Sequence, residues 1–357
     1  MTERFALVAR STRGAYTESW HFGAVAVTTP DGRLVARIGD PTVRVFMRSI
    51  AKPIQAAPLM MANGPLELGL SPEDIALLCA SHAGTPAHTE RVERLLLRGG
   101  FDVADLACGA HEPLCEATAE AMRRKGESPS ALHSNCSGNH AGVLLACRLL
   151  GYVTEGYAHP EHPLNRRILE LLARFCGLGP PDIEVAVDGC ELPTYRVPLA
   201  AAALAWARLA DPAGGGLEAA ERDAVRTLIE AMATCPDMVA GCERFTTRLI
   251  EVTGGRIVGK EGADGLYAMA IRGPMALGAV VKIADGKEGC RAGVVLDVLR
   301  QLGSLSAEEF EQLQEFYRPA ISTRRGVVVG AVTPDVHLKN GDEAAEIETG
   351  LAESAKR

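Results

Sequence analysis

Strand-like patterning gathers at the two ends of this chain, with a long and mainly helical stretch between them, and that order leaves few folds open. A hairpin is expected over residues 22–40. Val25 and Val27 alternate, Pro30-Asp31-Gly32 turns the chain, and residues 34–38 return. From Ser49 the apolar residues instead fall at helical spacing, with Ile50, Ala51, Ile54, Ala57, Leu59 and Met60 ahead of Asn63-Gly64. Pro53 is tolerated there because the first helical turn has no use for its missing N–H. Ser71-Pro72 reads as a capped helix start. More helices are expected at about 89–98, 116–125, 140–150, 164–176, 199–209 and 218–233, interrupted by one buried strand at 183–187. Strands resume at 247–252 and 256–258, around Thr253-Gly254-Gly255, and continue at 266–271, 275–283 and 327–332, with helices at 289–302 and 307–316. Segregated runs of this kind predict an α+β fold: N- and C-terminal strands in one antiparallel sheet, with a helical middle region of about 49–235 packed beside it. A single catalytic domain over residues 1–340 is expected, and the acidic, Ala-rich tail 341–357 reads as disordered.

Charge and composition exclude several function classes. The net charge is -8 and no stretch is strongly basic, which argues against nucleic acid and anionic membrane as partners. The longest apolar stretch, residues 198–206, is too short to span a bilayer. Aromatics make up only 4%, so the core must be built from Ala, Leu, Val, Ile and Met. Met1-Thr2-Glu3-Arg4 has no signal-peptide architecture, and the 10 cysteines are scattered without a CxxC pair. The expectation is a cytoplasmic protein with reduced thiols.

Five constellations carry chemistry. In Ser49-Ile50-Ala51-Lys52, i and i+3 share a helix face, which brings an amine toward a hydroxyl. Serine is a weak nucleophile until a base removes its proton, and a lysine serves only if burial or a neighbouring cation depresses its pKa. The bland alternative is a capping serine and a surface lysine. Lys260-Glu261-Gly262 follows a strand, and SxxK upstream with KxG downstream is the order found in serine penicillin-recognising enzymes. Ser81, in Ala80-Ser81-His82-Ala83-Gly84, is a candidate proton relay between the two lysines or else a turn residue. The segment from His133 through Asn135, Cys136 and Ser137 to His140 packs more polar groups before a helix than a cap requires. Asp188-Gly189-Cys190 ends the 183–187 strand, where loops commonly carry function. Cys136 and Cys190 are candidate ligands for a soft metal such as zinc, although structural zinc sites normally show closely spaced pairs.

Taken together, Arg48-Ser49-Ile50-Ala51-Lys52-Pro53, Ser81-His82, Asn135-Cys136-Ser137-Gly138, Asp188-Gly189-Cys190 and Gly259-Lys260-Glu261-Gly262 resemble the rhizobial-type, or class 3, L-asparaginases of the asparaginase II family. The resemblance runs from about Val8 to Thr333. It implies a fold related to serine β-lactamases and serine-dependent glutaminases, two Ser-Lys tandems (Ser49–Lys52 and Ser81–Lys260), a zinc ion flanked by Cys136 and Cys190, and a homodimer. One position departs from the family pattern, which usually reads Ser-Gly-Lys-His after the cysteine and uses that lysine as a metal ligand. Here the residue is Asn139, a poorer zinc ligand, so weaker zinc binding is expected.

The expected reaction is hydrolysis of L-asparagine to L-aspartate and ammonia. Ser49 attacks the side-chain amide and Lys52 takes the proton. Lys260 stays charged, and Ser81 bridges the lysines. Asp188 is the candidate for the substrate ammonium, Arg48 for its carboxylate, and Asn135 for a further substrate contact. Glutamine differs by one methylene, worth only ~1–3 kcal/mol in a pocket. A glutaminase, a β-lactam-type acylase and a non-catalytic amino-acid- or metal-sensing relative are the alternatives.

Overall fold

The computed structural model describes residues 4–341, and the tail expected to be disordered lies, from residue 342 on, outside the described residues. The chain divides into two compact units: Met1–Val45 with Pro198–Gly215 and Ala263–Arg357, and Phe46–Val197 with Gly216–Gly262.

In the first unit the strands of the two chain ends form one antiparallel sheet, as the segregated pattern predicted. Its order is Ala320–Ser322, Val328–Pro334, Ala6–Arg13, Tyr16–Thr28, Leu277–Ile283, Leu266–Ile271, with Leu34–Ile38 also on Tyr16–Thr28 and Lys339–Asn340 beyond it. Tyr16–Thr28 is the organising strand. Its first half alternates exposed and covered residues, and its second half, from Gly23 to Thr28, is buried on both faces. The helix Leu199–Ala210 explains the change. A Cβ at Gly278 would lie 2.1 Å from Ala203 O, so the helix backbone rests directly on the strand and only glycine fits. That helix was expected with the helical middle and instead belongs to the sheet unit.

In the second unit the helix Lys52–Met61 is central. Every residue from Lys52 to Met60 is buried, against helices Ser137–Leu150, Pro163–Cys176 and Ala219–Thr234. Ser71 caps Pro72–Leu78 through a reciprocal bond with Asp74, as its sequence predicts. A Cβ at Gly138 would meet Leu77 O at 2.4 Å, which seats the start of Ser137–Leu150 on the end of Pro72–Leu78. That close approach brings the segments around Ser81 and Cys136 together.

Three sequence expectations are corrected. Residues 247–252 are not a strand but lie in the helix Phe245–Val252, where Phe245, Thr246, Leu249 and Ile250 are buried at helical spacing. The β-branched residues gave a strand signal that tertiary packing overrode. Gly254 and Gly255, at φ 58° and 75°, end this helix rather than turning a hairpin. The strand Glu184–Val187 is not buried, since Val185 and Val187 are 40% and 60% exposed. Finally, Ser49 does not open the α-helix. It lies in the 3₁₀ turn Arg48–Ala51, and the α-helix begins at Lys52.

Candidate active site

Among the described residues two lysines are almost wholly buried, and they meet in one place: Lys52 is 2% and Lys260 1% exposed. Lys52 is the first residue of its helix, Lys260 sits within the strand Ile257–Gly262, and Ser81 follows the end of Pro72–Leu78. Lys52 Nζ donates to Ala80 O at 2.5 Å, to Ser81 Oγ at 3.2 Å and to Cys136 Sγ at 3.2 Å. Three acceptors are the full complement of an ammonium. Lys260 Nζ reaches Ser81 Oγ at 2.7 Å and Glu261 O at 2.8 Å. Two partners suit a neutral amine, which has a lone pair to spare. Burial, and then the cation of Lys52, hold Lys260 well below the ordinary lysine value.

The structure therefore links Lys260, Ser81, Lys52 and Cys136, in that order, by hydrogen bonds. Ser49 stands apart. It is half-buried, and among the described residues no hydrogen bond joins its hydroxyl to Lys52. The residue before it, Arg48, has φ 48°, the left-handed region that a non-glycine side chain occupies at a cost of about 1–3 kcal/mol. Its backbone N–H donates to Thr194 Oγ1 at 3.0 Å, and its Nε donates to Asp188 Oδ1 at 2.8 Å. The two candidates for the substrate's charged groups are thus paired with each other. Asp188 and Cys190 lie in the turn joining Glu184–Val187 to Pro193–Pro198, with Glu191 at φ 73°.

Asn135 and Cys136 lie at the start of Ser137–Leu150, and Cys136 Sγ is 3.1 Å from Asn135 Oδ1. Cys190, hydrogen-bonded to it, and then the Lys52 ammonium pull the Cys136 thiol down, while the same contact and burial push Cys190 up. Of the two thiols, Cys136, beside Lys52, is the more readily ionised. Cys136 and Cys190 are the thiols that would hold a zinc ion, with no lysine at position 139 to complete the set. Lys52 Nζ already lies 3.2 Å from Cys136 Sγ. Asn139 spends its Nδ2 on Leu78 O at 3.1 Å, and its Oδ1, like His140 Nε2, is buried without a hydrogen-bond partner. Among the described residues no group of three or more His, Cys, Asp or Glu side chains comes together in a way that could hold a metal.

Sequence reasoning missed two supports of the site. His82 is fully buried and stacks on His88, with ring centroids 5.0 Å apart. Its Nδ1 accepts from Gly84 N at 3.2 Å, so its Nε2 carries the hydrogen given to Ser137 Oγ at 2.9 Å. Burial, and next His88, keep that ring neutral. The second support is Glu261, held by Arg244 and Thr246. The Ser81-His82 and Lys260-Glu261 neighbours were visible in the sequence, but their partners lie far away along the chain. A cavity of about 700 Å³ lined by Leu144, Tyr157, Val187 and Glu191, among others, opens beside the Cys190 turn, and neither lysine lines it.

Two buried amines around one hydroxyl are an arrangement able to move a proton, and the family to which the sequence belongs is one of hydrolases acting on amides. The sequence pattern of the L-asparaginase II family matches residues 9–334, and the chain belongs to that family. No curated protein matches it.

Proposed function

We propose that this chain hydrolyses L-asparagine to L-aspartate and ammonia through an ester on Ser49. The observation that carries the reading is the shared hydroxyl of Ser81, 3.2 Å from Lys52 Nζ and 2.7 Å from Lys260 Nζ. At rest Lys260 is the amine and Lys52 the ammonium, the reverse of the assignment expected from sequence. A proton passes from Lys52 through Ser81 to Lys260. Lys52, now neutral, takes the proton of Ser49 as that oxygen attacks the amide carbon. The proton then goes to the departing ammonia, the aspartyl ester remains, and water hydrolyses it over the same path. Apo geometry is commonly looser than the reacting complex, which accommodates the open Ser49 hydroxyl. The Arg48–Asp188 pair opens to receive the substrate's α-carboxylate and α-ammonium, with Asn135 beside it.

A second reading has a specific observation behind it: Ser81, not Ser49, has amines at hydrogen-bonding distance, which would make Ser81 the nucleophile. Trapping the acyl-enzyme with a slow substrate and locating it by mass spectrometry separates the two. Ammonia release measured across asparagine, glutamine and a chromogenic β-lactam tests the substrate class. Activity only on the β-lactam, or on none, would remove the asparaginase reading.

Kinship of the fold with serine β-lactamases and glutaminases is part of the same proposal, supported by the order of SxxK and KxG. So is a homodimer. Tyr16, Trp20 and Phe22 are 81%, 55% and 48% exposed on one face of a strand, an apolar surface suited to burial against a second copy. Light scattering during gel filtration tests it. Ten free cysteines favour a reducing compartment such as the cytoplasm. Among the described residues no helix is long and apolar enough to cross a membrane.

A further inference from the structure

Lys260 and Glu261 are neighbours on one strand, yet they are anchored differently. Lys260 Nζ bonds Ser81 and the backbone oxygen of Glu261, at 2.7 and 2.8 Å. The Glu261 side chain reaches the helix Phe245–Val252 instead. One carboxylate oxygen accepts from Arg244 Nη2 at 2.5 Å and the other from Thr246 Oγ1 at 3.1 Å. Arg244 is the N-cap residue of that helix and Thr246 lies in its first turn. The ion pair thus fastens the peptide group that supplies the second partner of the Lys260 amine. Its side chains are only 29% and 13% exposed, so solvent screens it incompletely.

We infer that the Arg244–Glu261 ion pair is a positioning device that sets the protonation state of Lys260. The carboxylate favours the ammonium form, the guanidinium favours the amine, and together they hold the nitrogen where it exchanges a proton with Ser81. The inference rests on the proposed role of Lys260 as the resting amine, and it adds two residues to which that mechanism gives no contact with substrate.

The other groups that face Lys260 are Lys52, Cys136 and Cys79. Lys52 and Arg244 oppose its charging, and Glu261 and Cys136 favour it. Cys79, at the end of Pro72–Leu78, is pushed by burial up to about 12 and carries no charge near neutrality. Of these, the Arg244–Glu261 pair is the one whose two charges can be removed separately without touching Ser81 or Cys136.

The test is the pH dependence of kcat/KM for asparagine in the full-length chain. Its acid limb reports the proton that must be off the lysine pair before Ser49 attacks. Glu261→Gln removes a negative charge and should move that limb to lower pH by about 0.5 pH unit or more; Arg244→Met should move it to higher pH by a similar amount. Arg244→Lys, which keeps the charge, should leave it in place. The double variant Arg244→Met/Glu261→Gln should return near the wild-type position. A merely structural pair would lower kcat in both single variants with the limb unmoved or moved the same way, and that result overturns the inference. A second readout does not depend on activity. With only seven lysines, the ¹³Cε signal of Lys260 can be assigned in ¹³C-lysine-labelled protein by loss in Lys260→Met. Its titration should follow the same opposite senses. If the wild type releases no ammonia, the functional reading fails while this titration still decides the inference. If the wild type is active and the Lys260 signal titrates alike in all variants, the inference alone falls. Should one single variant unfold, the shift of the other, read against the Arg244→Lys control, carries the decision.

Discussion

Replacing Ser81 by alanine separates the relay from its rivals. Among the described residues the hydroxyl alone is bonded by both buried amines, at 3.2 and 2.7 Å. Its loss leaves Lys52 with Ala80 O and Cys136 Sγ, and Lys260 with Glu261 O alone. Each amine then has one unmade hydrogen bond in a site closed to water. An orphaned buried donor costs about 1–3 kcal/mol. The small void left by one oxygen allows partial relaxation, so a total of about 2–4 kcal/mol is expected, which for a unit of this size lowers Tm by roughly 4–16 °C. The catalytic effect should be larger. With the proton path cut, Lys52 stays an ammonium, and loss of general-base help lowers kcat by about 10²–10⁴-fold. KM should change little, because Ser81 is not proposed to touch substrate. The assay is steady-state ammonia release with thermal melting, followed by mass spectrometry of a slow-substrate adduct. Under the relay the adduct still forms on Ser49, slowly. Wild-type kcat in Ser81→Ala would refute the relay, and complete loss of any adduct, with Ser49→Ala still able to form one, would make Ser81 the nucleophile.

Other outcomes follow from the same geometry. Lys260→Met should abolish activity yet leave the protein at least as stable at neutral pH, because Lys260 is buried with its value held down. The sign is fixed by linkage. The unfolded chain binds a proton that the folded one does not, so wild-type stability should rise with pH from the folded value of Lys260 up to that of a free lysine near ~10.4, and Lys260→Met should flatten that slope in urea titrations. Purified protein should contain zinc well below one equivalent, and chelator should leave kcat and KM unchanged; stoichiometric zinc that survives dialysis against chelator, by elemental analysis, would sink the metal-free reading. Gly138→Ala should destabilise by about 1–3 kcal/mol or more and lower activity, since its Cβ would meet Leu77 O at 2.4 Å and push Cys136 from Lys52; an unchanged denaturation midpoint counts against that packing.

The residues of the cluster were legible in the sequence because each sits in a short motif whose chemistry is local. SxxK, KxG and the dense polar run at Asn135–Ser137 each mark a reactive group without any knowledge of the fold. The chain-end strands were legible for a similar reason, since period-two alternation and Gly turns are local signals. Residues 247–252 show where this stops: their β-branched residues favoured a strand, and only burial of Phe245, Thr246, Leu249 and Ile250 on one side decided for a helix. What tertiary structure alone decided is which groups touch. Ser49 and Lys52 are three apart, and the 3₁₀ turn joins their backbones, Lys52 N–H to Ser49 O, yet their side chains share no hydrogen bond, while the side chains of Ser81 and Lys260, 179 residues apart, do. Arg48 and Asp188 are found paired with each other. Which lysine carries the proton was beyond the sequence too, because that depends on burial and on the number of acceptors around each nitrogen. Both are properties of packed space, and no spacing along the chain encodes them.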